Sequence, residues 1–490
     1  MCGVFGIING PSISTDKYAS YDVYRALLTL QHRGQDAAGI LSFDSKENQF
    51  YSHKELGLVN EIFKPNHFDL LKGEMAIGHT RYATTGSDSS NDVQPLVTGF
   101  PIGVGMAHNG NIVNYHRLRE VVRTEHRRQL LTNNDLEIFL SFWCRTLMEE
   151  QSGGDEFTFT HAVKAAEKIF ESTIGAYSIV GLLAGEGLFG LRDPNGIRPL
   201  LLGKKGEGND ISYALSSETN ALEFLGYEVV RNIAPGEFIF INRDCEIQSY
   251  HFQNPENQIK PCMFEWIYFS AVESTIENRP VYGARRSLGE RLSVKVRNLM
   301  GAGEISPDIV CPVPDTSRSS AIALAESLNL TYRECLIKNR YVQRSFILKT
   351  QEDREKAVRL KLSPVRSEIQ GKSILLVDDS VVRGTTSKRI VHLLKEAGAK
   401  EVILAITCPP IRYGCFYGVD FPRKEDLVAY NKSLEQIQES IEVDKVIYLD
   451  EEDLSKALNL PSMCRACIDG KYPTSVEDAN EFCERRNELK

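Results

Sequence analysis

Cys2 stands directly behind the initiator methionine, and that position gives it an unusual chemical option. Removal of Met1 leaves one residue carrying both a thiol and a free α-amine. The amine titrates near 8 and the thiol near 8.5, so the amine can serve as the base for its own nucleophile, with no separate histidine. A second reactive stretch runs Ser373-Ile374-Leu375-Leu376-Val377-Asp378-Asp379-Ser380-Val381-Val382-Arg383-Gly384-Thr385-Thr386-Ser387. An apolar strand ends there in two carboxylates, and a Gly/Thr/Ser loop then opens a helix. Backbone N–H groups at such a helix start, helped by hydroxyls, cradle a phosphate, and the paired acids accept from ribose hydroxyls. The stretch lacks the Gly-Lys-Ser/Thr ending of a Walker loop and the G-x-G-x-x-G of a dinucleotide fold. A third pattern, Cys464-Arg465-Ala466-Cys467, pairs two thiols at metal-ligand spacing.

Two kinds of element must position these groups. Up to about residue 245 the apolar runs are short and strand-like: Val4 to Ile8, Met75 to Ile77, Ile102 to Ala107, Ser178 to Ala184, Gly187 to Leu191, Leu200 to Leu202 and Glu237 to Ile241. Tight turns such as Ala184-Gly185-Glu186-Gly187 join them as antiparallel hairpins, and amphipathic helices are predicted over Tyr21 to Gln31 and Asn134 to Met148. This half reads as α+β. Beyond the polar stretch Gln253-Asn254-Pro255-Glu256-Asn257 the order becomes strand then helix: Asp308 to Pro312 before Ser319 to Leu328, and Ser373 to Asp378 before Lys388 to Ala397. That alternation predicts a parallel α/β unit. The domains expected are 2–245, 246–475 and a C-terminal segment 476–490.

At 490 residues the chain exceeds one ordinary core, and 42% hydrophobic with 25% charged residues excludes disorder. A net charge of -9 excludes a general basic surface for nucleic acid or anionic lipid, so an anionic ligand needs a local basic patch. No apolar run reaches the roughly 18 to 20 residues of a membrane span, and the N-terminus lacks a signal peptide's basic region, so a cytoplasmic location is expected. Eleven cysteines in such a chain are expected to be reduced, with any special ones catalytic or metal-bound.

The first half carries Cys2-Gly3-Val4-Phe5-Gly6, Gln31-His32-Arg33-Gly34-Gln35-Asp36, Gly78-His79-Thr80-Arg81-Tyr82-Ala83-Thr84, His108-Asn109-Gly110-Asn111 and Asn134-Asp135-Leu136-Glu137. In this order they resemble the class II glutamine amidotransferases, whose glutaminase domain is an N-terminal-nucleophile αββα sandwich. The resemblance implies Cys2 as nucleophile, with the Asn109 amide and the Gly110 N–H as oxyanion hole. It also implies a glutamine set of Arg33, Arg81, Thr84 and Asp135, with Arg81 on the α-carboxylate and Asp135 on the α-ammonium. The chemistry agrees: an oxyanion needs preplaced donors, Arg offers a planar fork to a carboxylate, and Asp accepts from an ammonium. His32, His79 and His108 are expected to orient backbone or fill the core.

The second half resembles the type I phosphoribosyltransferases, α/β domains with a mainly parallel sheet. The resemblance implies PRPP binding by Asp378, Asp379, Ser380, Arg383, Gly384, Thr385, Thr386, Ser387, Lys338 and Arg340. Cys311-Pro312-Val313-Pro314-Asp315-Thr316-Ser317-Arg318 resembles the pyrophosphate loop, and Thr316, Asp378 and Asp379 are implied to lie around one Mg2+. Residues 338–361, with eight Lys or Arg against three acids, supply the local basic patch and match the family's closing loop, with Gln343 where relatives carry Gly.

Together the halves resemble the glutamine phosphoribosylpyrophosphate amidotransferase family. That implies conversion of PRPP, glutamine and water to 5-phosphoribosylamine, pyrophosphate and glutamate, the first committed step of purine synthesis. It further implies a dry path for ammonia, purine nucleotides as inhibitors and a homotetramer. One branch of the family carries a [4Fe-4S] cluster, and its pattern matches Cys262, Cys415, Cys464 and Cys467, followed by Gly470-Lys471-Tyr472-Pro473. Four thiolates suit a cluster or zinc, and ligand type alone does not choose between them. Two other readings stand beside this one. A different glutamine-dependent amidotransferase shares the first half but not the PRPP stretch. A non-enzymatic PRPP-sensing regulator needs neither Cys2 nor its surroundings, and should carry a DNA-binding pattern that is not found here.

Overall fold

The computed structural model describes residues 2–11, 18–82, 90–151, 156–252, 259–339, 362–419, 421 and 424–479. Its first half is built on two antiparallel sheets facing each other. One takes its strands in the order Glu228–Asn232, Leu201–Lys205, Ser212–Ser216, Gly3–Asn9, Met75–Arg81, Ala37–Asp44 and Gln49–Leu56. The other runs Ile247–His251, Glu237–Asn242, Gly187–Arg192, Gly175–Leu183, Val104–Ile112 and Leu96–Thr98. Alternation along each strand sends one set of side chains between the sheets, where Val4, Ile77, Val180, Leu188 and Leu215 form a dry layer. The opposite set meets helices: Ala19–Thr29 covers the first sheet, and Leu136–Glu150 with Phe159–Ser172 covers the second. Every residue of Gly3–Asn9 and Gly175–Leu183 is buried, which is why these strands read as continuous apolar runs. The αββα layering expected from the sequence is what forms.

The expected boundary at 245/246 cuts a hairpin. Ile247–His251 pairs along its length with Glu237–Asn242, Ile241 opposite Ile247, so the first domain continues through His251. Ile247–His251 is an exposed edge strand of mostly polar residues, which is why no apolar alternation marked it.

The second half is a five-stranded sheet in the order Thr331–Tyr332, Ile309–Pro312, Ser373–Asp378, Glu401–Ile406 and Lys445–Tyr448, all neighbours parallel. Helices Val281–Gly301, Arg318–Leu328 and Thr385–Glu396 pack on it. The strands Ile309–Pro312 and Ser373–Asp378 lie side by side, so the loops leaving their C-terminal ends open on the same crevice, as is general for open parallel sheets. The C-terminal segment, as far as it is described, does not stand apart: Asp478 pairs with Arg117 of the first domain at 3.4 Å and Ala479 is buried. Just before it, Cys464 forms an isolated backbone β-bridge with Cys262, both thiols remaining free. No described helix is long and apolar enough to cross a membrane.

Candidate functional site

Cys2 precedes the central strand Gly3–Asn9 and is fixed from two sides. Its nitrogen donates to Asn109 Oδ1 at 3.2 Å. Its carbonyl accepts from Arg33 Nε at 3.0 Å. Asn109 is fully buried, and its Nδ2 has no partner among the described residues. A buried amide donor left open beside a nucleophile fits an oxyanion hole, because such a donor gains its hydrogen bond only when negative charge develops.

Asn109 and Gly110 lie inside the strand Val104–Ile112, opposite Ser178 and Tyr177, and not in a turn. Gly110 has φ +142°, and a Cβ there would come within 1.9 Å of the Ala176 carbonyl oxygen. The Ala176 and Tyr177 backbone it would meet is paired in the sheet and cannot withdraw. Gly110→Ala is therefore expected to destabilise the fold by at least about 3 kcal/mol, read as a lower denaturation midpoint. A midpoint equal to the parent's would contradict the strained geometry.

Asp135 lies just ahead of the helix Leu136–Glu150. One oxygen meets His108 Nε2 at 2.8 Å, and the other accepts from Ile112 N at 3.0 Å. It is thereby held close to Asn109, still partly exposed at 17%, in a place that suits an ammonium acceptor. Arg81 ends the strand Met75–Arg81 and is buried. His79 and His108 sit in the core, as expected of them; burial holds the His79 imidazole neutral, well below its usual range. Thr84 and Arg340 lie outside the described residues, as does Gln343.

Arg33 requires a correction. The resemblance puts it in the glutamine set, but the guanidinium is completely buried and turned onto protein acceptors: Glu218 Oε1, both oxygens of Glu265 at 3.0 Å, and the Cys2 carbonyl. It braces the Cys2 backbone. His32 joins the same group through Glu218 at 2.8 Å. Burial alone would push the Glu218 carboxyl up, but His32 and Arg33 hold it far below the usual carboxylate range.

In the second half the paired acids sit at the floor of a cavity of about 1030 Å³. Burial and the charge of Asp379 push the Asp378 carboxyl well above its usual value, and burial likewise raises Asp379, to about 6, against hydrogen bonds from Ser380 and Thr316 and the charge of Arg285. Two acids held this way lack sufficient counter-charge, which suits a divalent cation; Thr316 is placed beside them. Gly384 caps the helix Thr385–Glu396 at φ +77°, a left-handed conformation natural to glycine, and so turns the Arg383 to Ser387 backbone into the cavity. Lys338, held by Asp315 at 2.8 Å, lines the same wall. Arg285, which sequence reading passed over, also lines it. Nothing local distinguishes Arg285 from the other basic residues of its helix.

The cavity does not stop at the sheet. His32, Gln35 and Tyr82 of the first domain also line it, and the Tyr82 carbonyl oxygen is 4.0 Å from Cys2 Sγ. Phe264, Val419 and Phe421 supply apolar wall.

Cys262, Cys415, Cys464 and Cys467 line one small cavity elsewhere, with Phe264, Tyr417 and Tyr472. Met263 N donates to the Cys464 carbonyl at 3.1 Å, and Cys464 N to the Pro261 carbonyl at 2.8 Å, so the C-terminal thiols are clamped to the segment that starts the second domain. Burial pushes the Cys262 thiol up to about 11, with Arg198 pulling the other way. Among the described residues no three His, Cys, Asp or Glu are gathered closely enough for a single ion.

Comparison with known proteins follows the same division. Residues 79–224 match the glutamine amidotransferase domain and residues 286–438 the phosphoribosyl transferase domain. Amidophosphoribosyltransferase of Haemophilus influenzae is 40% identical, covering 100% of this chain and 96% of that protein. The chain belongs to the amidophosphoribosyltransferase family. The Methanothermobacter thermautotrophicus amidophosphoribosyltransferase is 38% identical over 98% of this chain and 96% of its own length. The solved structure of the B. subtilis glutamine PRPP amidotransferase, complexed with ADP and GMP, superposes with a TM-score of 0.83 at 36% identity, covering 97% of this chain and 98% of that one. An amidophosphoribosyltransferase is a pentosyltransferase coupled to a glutaminase, and these are the two halves described above.

Proposed function

We propose that Cys2 attacks the glutamine amide with its own α-amine as base, and that the ammonia released travels through the shared cavity to C1 of PRPP. The observation that carries this reading is a single cavity whose lining includes both Tyr82, whose carbonyl oxygen lies 4.0 Å from Cys2 Sγ, and the Asp378 to Ser387 loop. Ammonia must arrive unprotonated, since ammonium has no lone pair to attack with, and the apolar side chains of Phe264, Val419 and Phe421 disfavour the cation. Asn109 Nδ2 and the Gly110 N–H stabilise the tetrahedral oxyanion, at roughly 3 to 4 kcal/mol per donor. Arg81 and Asp135 orient glutamine by its charged ends. At the other centre, Arg383 to Ser387 hold the 5-phosphate, Asp378 and Asp379 the ribose hydroxyls, and Lys338 the pyrophosphate.

Mg2+ suits Asp378, Asp379 and Thr316, and when bound supplies charge to the departing pyrophosphate. The direct test is glutamate release that depends on PRPP, with equal pyrophosphate formed. Glutamate without any stimulation of product by PRPP would favour another amidotransferase, and PRPP binding without glutamate a regulator. As supporting roles we assign a cytoplasmic location, a homotetramer, and purine nucleoside monophosphates bound in the phosphate cradle; inhibition indifferent to PRPP concentration would remove the cradle from that assignment.

The four-cysteine cavity suits a [4Fe-4S] cluster better than zinc. A cluster takes one thiolate on each of four irons, whereas zinc needs all four sulfurs at about 2.3 Å from one centre. Four thiols around one small cavity supply the thiolate set that such a cluster takes. The role is structural, tying the chain's end to the start of the second domain. Anaerobically purified protein is expected to be brown with about four iron and four sulfide per chain, and Cys467→Ser to lose most of both. Colourless parent protein without iron or sulfide would remove the cluster.

A further inference from the structure

The nucleophile of the glutaminase half is held in place by a residue of the other half. The first residue of a mature chain has only one covalent neighbour and frays unless it is tied down. Among the described residues two hydrogen bonds tie the Cys2 backbone: its nitrogen on Asn109 and its carbonyl on Arg33 Nε. The second tie is only as well placed as the guanidinium. That group is set by Glu218, from its own domain, and by Glu265, which takes Arg33 Nη2 with both oxygens at 3.0 Å from 232 residues away.

Glu265 is itself over-determined. It begins the short helical turn Glu265–Phe269, accepts from Ser270 Oγ at 2.9 Å, and faces Arg198 at 3.4 Å. Glu218 reaches the same way across the boundary, accepting from Ala271 N at 2.8 Å and Ser274 Oγ at 2.7 Å. The side chains of Arg33, Arg198, Glu218 and Glu265 are at most 1% exposed, so two cations are balanced by two anions out of water. Burial works against the Arg33 charge, and Glu265 followed by Glu218 more than restores it. In such a site an unpaired charge is severely penalised, so the arginine must follow its carboxylates.

We infer that Glu265 is a positioning residue for glutamine hydrolysis: it fixes Arg33, and through the Arg33 Nε bond to the Cys2 carbonyl it sets where the thiol and the α-amine point. This rests on the reaction proposed above and deepens it, since the glutaminase site is then complete only when the phosphoribosyltransferase half is docked. Glu265 touches neither substrate, so its loss should act on the rate of the glutamine reaction and not on glutamine affinity. Misplacement of a reacting group by about 1 Å can cost about 100-fold.

Two variants test this in the full-length protein. Glu265→Gln keeps the shape but removes the charge and turns an amide donor toward two arginines. Glu265→Asp keeps the charge but draws the carboxylate back by one methylene. Glutamine-dependent and ammonia-dependent synthesis are measured on the same preparation, with the melting temperature. Both variants are expected to lower glutamine kcat, by about 10- to 100-fold for Glu265→Gln and less for Glu265→Asp. Glutamine KM and the ammonia-dependent rate should stay within about twofold, and alkylation of Cys2 by iodoacetamide should slow in the same order. Glu277→Gln is the comparison. Glu277 pairs at 2.6 Å with Arg192, another buried arginine of the first domain, which binds the carbonyls of Gly196, Arg198 and Ile233 and not Cys2. It should leave the ratio of the two rates unchanged.

A folded Glu265→Gln or Glu265→Asp protein with the parental ratio would overturn the inference. So would a parallel fall of both rates, or the same shift in Glu277→Gln, since each describes general loosening of the interface. If Glu265→Gln does not fold, Glu265→Asp decides alone. Failure of the parent protein to aminate PRPP with ammonia would instead overturn the assigned reaction, and the positioning role would still be read from glutamate release and alkylation.

Discussion

Cys2→Ser protein is expected to make no measurable 5-phosphoribosylamine from glutamine, a loss of at least about 1,000-fold, while ammonia-dependent synthesis stays within about twofold of the parent. The reasoning runs from the atom outward. A serine hydroxyl at the same place keeps the α-amine, the Asn109 contact and the Arg33 brace, since none of these involves Sγ. What disappears is the nucleophile. An α-amine is a strong enough base to take a proton from a thiol and far too weak to take one from a hydroxyl. The PRPP site is untouched, because Cys2, Asn109 and Arg33 are not among the residues that line its cavity. Equal loss of the ammonia reaction in a folded Cys2→Ser protein would mean that the two chemistries share one centre. Intact mass gives a second check: active protein should lack Met1, because an acylated amine cannot act as base.

Asp379→Asn, and to a similar degree Asp378→Asn, should lower PRPP-dependent synthesis with either nitrogen source by about 100-fold or more, leaving basal glutamine hydrolysis measurable. The removed charges are those that accept the ribose hydroxyls and suit the cation. The same substitution should stabilise the unliganded protein. The Asp379 carboxyl sits near 6 in the folded chain, above the value near 4 of an unfolded aspartate. An acid raised by folding binds more protons folded than unfolded, so stability falls as pH rises from about 4 to 6 and stays lower at neutral pH. Asparagine removes that penalty, and a melting temperature about 2 °C higher at pH 7 is expected. In the parent, PRPP affinity should weaken as pH falls below about 6, where protons compete with the cation. An unchanged melting temperature together with undiminished PRPP affinity would place these acids outside the site.

Short, contiguous features were legible without coordinates. The Ser373 to Ser387 stretch holds a strand, its terminal carboxylates and the opening of a helix in one continuous run, so local hydrogen bonding is enough to shape it. The same holds for Cys2, whose chemistry follows from its place in the chain. The strand Gly3–Asn9 and its partner Met75–Arg81 were visible because both faces are buried and positions 4–8 and 75–78 are apolar or small. Gln49–Leu56 and Ile247–His251 were not, because an edge strand is partly solvated and its composition follows the solvent.

The residues read alone pointed to a kind of chemistry: a cysteine at position two beside its own amine, a Gly/Thr/Ser loop behind two acids, and a pair of thiols at metal-ligand spacing. Which charges meet came only from the folded chain. Arg33 stands in the same short motif as His32 and Gly34, and nothing local says whether its guanidinium faces substrate or core. Its fate depends on Glu218 and Glu265, 185 and 232 residues away, which enter a dry site where an arginine must be paired. Glu265 reads in the sequence only as one member of an aromatic segment, Phe264 to Phe269, because the carboxylate's partners come from the other domain. The joining of Cys262 to Cys464, and the continuity of one cavity from Tyr82 to Gly384, arise in the same way. Each depends on how two separately folded sheets dock, and docking is decided by the complementarity of surfaces whose residues are scattered along the chain.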